Sequence, residues 1–335
     1  MRLLVLHAGA LGDCALTLHA IAGLRSAAPD VRVTLAARSP LAPWAAGHGL
    51  IDRAVDLESL SLHPFYSAAA EAVCGPQTLR FLRDFDRVIS FLGGPEETVS
   101  RRLRAAVGDR VVVVDPKPDA VTEATGRHIT QQWAAALTAQ DVAVDATAQA
   151  YIPRPAGGPA PPRRQHAPEA LTSTERAIIC HPGSGSAHKC CTLDAWEAVV
   201  GLLREAGHSV WWMTGPAEAD RLGAAALERL AATAPLVRLE SVVEAAEAVR
   251  LADCFIGHDA GMTHVAGITG VLTIAVFGPT DPAVWRPLGR ACRIVGFPRA
   301  PEPLLTWARG IARLAPVSSP RLPSGPSSPL GERAG

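Results

Sequence analysis

The stretch from Phe255 to Pro282, FIGHDAGMTHVAGITGVLTIAVFGPTDP, narrows the fold more than any other part of the chain. A short apolar run ends at Gly257, and a polar, glycine-bearing turn follows from His258 to His264. A small-residue helix, a second apolar run and a second polar turn complete the unit. Two strands joined by one short helix, each ending in a turn rich in hydrogen-bonding groups, are the repeating unit of an open α/β sheet. Ligands of such sheets bind outside the carboxyl ends of the strands. A turn that opens a helix also presents free backbone N–H groups to an anion, so a phosphorylated occupant is expected.

The same alternation runs along the rest of the chain. Residues 2–7 read as a buried strand, 14–27 as an amphipathic helix ending before Pro29, and 31–37, 87–91 and 111–114 as further strands. From Pro153 to Pro168 the sequence PRPAGGPAPPRRQHAP continues neither a helix nor a central strand and reads as an interdomain linker. The alternation then restarts with a strand at 177–181, a helix at 194–206, a strand at 209–214, and helices to about 232 and at 242–251. The segment 255–282 completes this second domain. A length of 335 residues agrees with two cores rather than one. The expected layout is a first domain at 1–152, a linker at 153–174, a second domain at 175–298, a helix within 299–314 packing back across both domains, and a disordered Pro/Ser/Gly-rich tail at 315–335.

Hydrophobic residues at 48% and charged residues at 19% describe a soluble globular chain. A formal net charge of zero argues against a nucleic-acid binder. The apolar part of MRLLVLHAGALGD is too short for a signal-peptide core, and no run of about 20 apolar residues is present to span a membrane. Seven irregularly spaced cysteines fit free thiols in a reducing cytoplasm.

Five turns carry the polar chemistry. The first, Gly9-Ala10-Leu11-Gly12-Asp13, has GxxGD spacing rather than the dinucleotide fingerprint. Asp13 either caps the helix it opens or acts as a general base on a hydroxyl at the mouth of a cleft. In the second, HPGSGSAHK, Ser184, Ser186 and Lys189 stand among glycines between a strand and a helix, a donor-rich cradle suited to a diphosphate but without the P-loop pattern. His181, His188, Cys190 and Cys191 match no standard zinc spacing, and no metal is expected. In the third, Glu218 either accepts from ribose hydroxyls or caps its own helix. The fourth places Asp259, Gly261 and His264 within six residues: a carboxylate, exposed amides and an imidazole. The fifth, FGPTDP, walls the same pocket.

Taken together, GALGD near the start, HPGSGSAHK followed by Trp196, and GHDAGMTHVAGITGV running into FGPTDP resemble glycosyltransferase family 9, the bacterial heptosyltransferases, in order and spacing across about residues 1–290. The resemblance implies a GT-B architecture: two Rossmann-like α/β domains with parallel sheets facing across a cleft. It implies inverting, metal-independent transfer of a sugar, typically from ADP-heptose, to a lipid-linked oligosaccharide acceptor of the lipopolysaccharide core, with no further cofactor. The first domain would then hold the acceptor, with Gly9 and Gly12 in its loop and Asp13 as base. The second would hold the donor through Ser184, Ser186, Lys189, Glu218, Asp259, Ala260, Gly261 and His264. Such an enzyme works in the cytoplasm, in peripheral contact with the inner face of the inner membrane, where Arg101, Arg102 and Arg104 either meet an anionic lipid or form a solvated helix face. Ala260 stands where the family usually has Ser or Thr, and Cys191 where it commonly has Trp. Two other readings stay open: a transferase of the same fold using another nucleotide sugar or a protein acceptor, and a non-catalytic sugar-nucleotide-binding module.

Overall fold

A computed structural model of the chain describes residues 1–67, 69, 74–153, 177–298 and 304–316. The linker expected at 153–174 lies outside them apart from Pro153, as does the tail beyond residue 316.

The described residues form two parallel sheets. The first has strands β1 (Arg2–His7), β2 (Arg32–Ala37), β3 (Arg53–Asp56), β4 (Arg87–Phe91) and β5 (Val111–Val113) in the order β3-β2-β1-β4-β5. The second has β6 (Ala177–His181), β7 (Ser209–Thr214), β8 (Leu236–Arg238), β9 (Cys254–His258), β10 (Leu272–Phe277) and β11 (Cys292–Gly296) in the order β11-β10-β9-β6-β7-β8. Central strands such as β1, β6 and β9 are near-continuous apolar runs because helices cover both faces of a parallel sheet. In each sheet the chain winds outward one way from the first strand, then returns to its other side. The strand order therefore reverses between β1 and β4, and again between β6 and β9. Ligands of doubly wound sheets bind at such reversals.

The two halves meet helix on helix. Helix Leu11–Ala27 follows β1, and helix Gly261–Thr269 follows β9. Met262 to Thr269 are all buried, as are ten residues of the first helix. A helix that hides its whole circumference has neighbours on every side. Here each lies between its own sheet and the other half's helix, and one apolar cluster runs through both, from Leu3 and Val5 to Phe255 and Val265. The approach is close because each helix has a glycine in its first turn, Gly12 and Gly261. A Cβ on Gly261 would lie 2.7 Å from Leu11 Cβ, and one on Gly12 would lie 3.2 Å from His264 Cδ2. At the flank, Trp44 Nε1 and His48 Nε2 both lie 2.8 Å from Glu247 Oε1.

Three expectations change. The segment 255–282 does not complete the second sheet, because β11 adds an edge strand beyond it. Helix Leu304–Leu314 does form, but its buried face (Trp307, Ala308, Ile311) joins the cluster of helix Leu193–Glu205 in the second half instead of crossing to the first. Trp307 fixes it there by donating to the carbonyl of Gly296, the last residue of the edge strand β11, at 2.7 Å. The first helix begins at Leu11, so Asp13 lies inside its first turn rather than before it.

Candidate functional site

The strand-order reversals place the sequence-predicted residues in two facing groups. In the second half, the turn after β6 carries Ser184, Ser186 and Lys189, and the turn after the adjacent β9 carries Asp259 to His264. In the first half, the turn after β1 carries Gly9, Gly12 and Asp13. The Gly12–His264 contact joins these groups directly.

Lys189 closes a 3-10 turn, Ala187–Lys189, and its ammonium lies 2.7 Å from Asp259 Oδ2. Asp259 is only 6% exposed, and His264 Nε2 stands 3.8 Å from its other oxygen. Burial pushes the Asp259 carboxyl up, but His264 and Lys189 outweigh it and hold the group at about 2. An ammonium has three N–H donors. One faces Asp259, which leaves two for an incoming anion. The pairing therefore fixes the Lys189 side chain without exhausting it.

Ala260 is the N-cap of helix Gly261–Thr269, in extended conformation, and offers no side-chain cap. The first-turn amides of Gly261 and Met262 have no intrahelical acceptor and are the helix's anion-binding end. Ala260→Ser adds an oxygen that can accept from this turn. It is expected to raise stability by about 1 kcal/mol in urea unfolding. An unchanged midpoint would mean that the turn's amides already have acceptors.

Three of the predicted donor residues have other partners. Ser184 is 1% exposed. Its hydroxyl donates to the Asp259 carbonyl at 2.8 Å, so it ties the two turns together and is not free to donate to a phosphate. Glu218 accepts from Gly215 N at 3.1 Å and faces His181 Nε2 at 3.8 Å, which is the capping alternative rather than an open ribose acceptor. Ser186 Oγ pairs with His188 Nδ1 at 2.9 Å. Each of the four residues weighed as metal ligands has a protein partner. His181 faces Glu218, His188 pairs with Ser186, Cys190 Sγ donates to the Ser186 carbonyl at 3.6 Å, and Cys191 turns to His258.

His258, a residue the sequence reading gave no role, is fully buried, and its Nε2 accepts from the Cys191 N–H at 3.0 Å. Trp196 stands edge to face on the same ring at 5.0 Å. Burial pushes the His258 ring down to about 4, so it stays a neutral acceptor. The smaller Cys191 brings its backbone, not a large ring, to this histidine. Arg221, also unassigned from sequence, donates to the Ser184 carbonyl from the helix above. Neither pairing has a local signal, since the partners lie 67 and 37 residues apart.

In the first half, Asp13 Oδ2 accepts from Ala10 N at 3.2 Å, as an acidic residue at the third helical position does. Capping and a position at the reversal point coexist in one carboxylate. The turn after β4 lies beside it, where Gly94 N donates to Glu97 Oε1 at 3.2 Å. Of the arginine cluster, Arg102 and Arg104 donate to the Pro64 and Pro95 carbonyls, each at 3.2 Å, and brace loops of this half.

Comparison with known proteins agrees with this arrangement. The sequence model described as Glycosyltransferase family 9 (heptosyltransferase) matches residues 117–306. Lipopolysaccharide heptosyltransferase 3 of Escherichia coli is 28% identical over 113 residues; this stretch is 33% of each protein, so the match spans about a third of that relative. Among solved structures, a glycosyl transferase family 9 protein from Veillonella parvula superposes with a TM-score of 0.64 at 16% identity, over 88% of this chain and 85% of that one. The E. coli heptosyltransferase WaaC with ADP gives 0.63 at 18% identity, over 94% and 100% of the two chains. The E. coli ADP-heptose lipopolysaccharide heptosyltransferase II gives 0.58 at 16%, over 88% and 90%. At these identities the likeness is one of fold, and the fold is GT-B.

Proposed function

The chain belongs to glycosyltransferase family 9, and we propose that it moves a heptose or related sugar from ADP-heptose to a lipopolysaccharide-core-type acceptor. The observation that carries the reading is the contact between the two reversal points. It brings the turn that carries Asp13 against the start of the helix that Gly261 and Met262 open, beside which Asp259 holds the Lys189 ammonium.

In this reading Asp13 takes the proton of the acceptor hydroxyl. The acceptor oxygen bonds to the anomeric carbon on the face opposite the diphosphate, and the sugar–diphosphate C–O bond breaks with its electron pair leaving on ADP. The configuration inverts. Negative charge grows on the leaving diphosphate, where the two remaining Lys189 N–H groups and the helix amides meet it, so that the proposed chemistry calls on no metal. Asp259 keeps the Lys189 side chain aimed. Burial of the seam keeps water from the donor.

Among the described residues no helix is long and apolar enough to cross a membrane. A lipid-linked acceptor would then be reached by peripheral contact from the cytoplasmic side. Ala260 and Cys191 both lie in the donor half, which makes the sugar the place where this chain would differ from its relatives.

A thermal-shift screen against ADP-, UDP-, GDP- and dTDP-sugars tests the donor. ADP-heptose at about 100 times its Kd is expected to add about 2.7 kcal/mol to stability, with smaller shifts for the other bases. A larger shift from any other base overturns the donor assignment.

A further inference from the structure

His7 ends β1 and shares a sheet face with Leu3 and Val5, the face that helix Leu11–Ala27 covers. It is 1% exposed, and neither ring nitrogen has a hydrogen-bond partner. Buried polar atoms in native proteins almost always have partners, and leaving one without is costly. Phe91 makes an apolar wall, edge to face at 6.1 Å. Burial holds the ring at about 4 against a smaller upward pull from Asp13, so it is neutral and carries one N–H.

Asp13 is the polar group beside it. A Cβ on Gly9 would lie 2.8 Å from His7 Cε1 and 2.9 Å from Asp13 Oδ2. Imidazole and carboxylate thus close on the same point, which glycine leaves empty. A phenylalanine at position 7 would pack the same apolar niche with no orphaned nitrogen.

The geometry points to His7 as a positioning residue for Asp13: with acceptor bound, its N–H is donated to the Asp13 carboxylate, which it keeps turned toward the acceptor hydroxyl. This rests on the assignment of Asp13 as the base.

The test uses the full chain with ADP-heptose as donor and core-truncated lipopolysaccharide as acceptor. His7→Phe is expected to lower kcat by about tenfold to a hundredfold, the loss that follows from a misplaced catalytic group. KM for ADP-heptose should stay within about twofold, because the donor is held by the other half. The melting temperature should hold or rise. His7→Leu carries the same comparison if the larger ring lowers stability, and His7→Gln, with an N–H of similar reach, should recover most of the rate. Combining His7→Phe with Asp13→Asn should be no slower than Asp13→Asn alone, since one residue acts through the other. Wild-type kcat in His7→Phe, or losses that multiply in the double variant, overturns the proposal. Wild-type transfer by Asp13→Asn alone overturns the base assignment instead, and this inference falls with it.

Discussion

Asp13→Asn lowers the transfer rate by about 10²–10⁴-fold, the usual contribution of a general base, while donor affinity stays as it was. The asparagine oxygen still accepts from Ala10 N, as the carboxylate does at 3.2 Å, so the first helix keeps its cap and the fold its stability. What disappears is the group that can take a proton. Asp13 lies in the half that does not carry Lys189 and Asp259, so the nucleotide sugar should bind the variant with unchanged Kd by calorimetry. Normal binding with lost turnover distinguishes a transferase from a module that only binds sugar nucleotides. Retention of the wild-type rate would leave Asp13 a helix cap and nothing more.

Lys189→Met is expected to have the second large effect, because it removes both the proposed contact with the diphosphate and the pairing with Asp259. Loss of one pre-placed donor to a developing anion is expected to reduce kcat by about 10²–10³-fold. The same change strips Asp259 of its partner at 2.7 Å. Asp259 is held at about 2 because His264 and Lys189 outweigh burial, and its ordinary value is 3.8. A carboxyl depressed on folding stabilises the protein above the ordinary value and loses that contribution as pH falls through the folded one. The window is therefore from about pH 4 down to about pH 2. The whole shift corresponds to about 2 kcal/mol, but His264 shares it and water screens the 32% exposed Lys189, so the part lost with the lysine is about 1 kcal/mol. Urea unfolding should show the variant weaker than wild type by about this amount at pH 7, with the gap closing toward pH 2. A gap that is independent of pH would mean that the pair contributes packing rather than charge.

Much of this fold is written locally. The central strands are long apolar runs, and their turns announce themselves by glycine, serine and acid at helix starts, so β1, β6 and β9 and the loops after them are readable one at a time. Three of the four edge strands are not; β5, a buried valine run, is the exception. Arg53–Asp56, Leu236–Arg238 and Cys292–Gly296 are short, partly exposed and mixed in polarity, too brief for a period to emerge. The site divides in the same way. Asp13, Lys189, Asp259 and His264 sit in turns whose composition marks them. Ser184 looks like a phosphate ligand because composition reports that a hydroxyl is present, not that the Asp259 carbonyl takes its proton. The role of helix Leu304–Leu314 likewise depends on a partner, the edge strand β11, that its own sequence does not reveal.

The glycine seam between the two central helices has an evolutionary consequence. Added bulk at position 261 meets Leu11 at 2.7 Å, and added bulk at position 12 meets His264 at 3.2 Å. A substitution on either side must be matched by a compensating one across the seam, or the turns that carry Asp13 and Asp259 move apart. These positions therefore drift in pairs or not at all. New specificity has to be acquired farther out, in residues that touch the sugar or the acceptor without touching the opposite half.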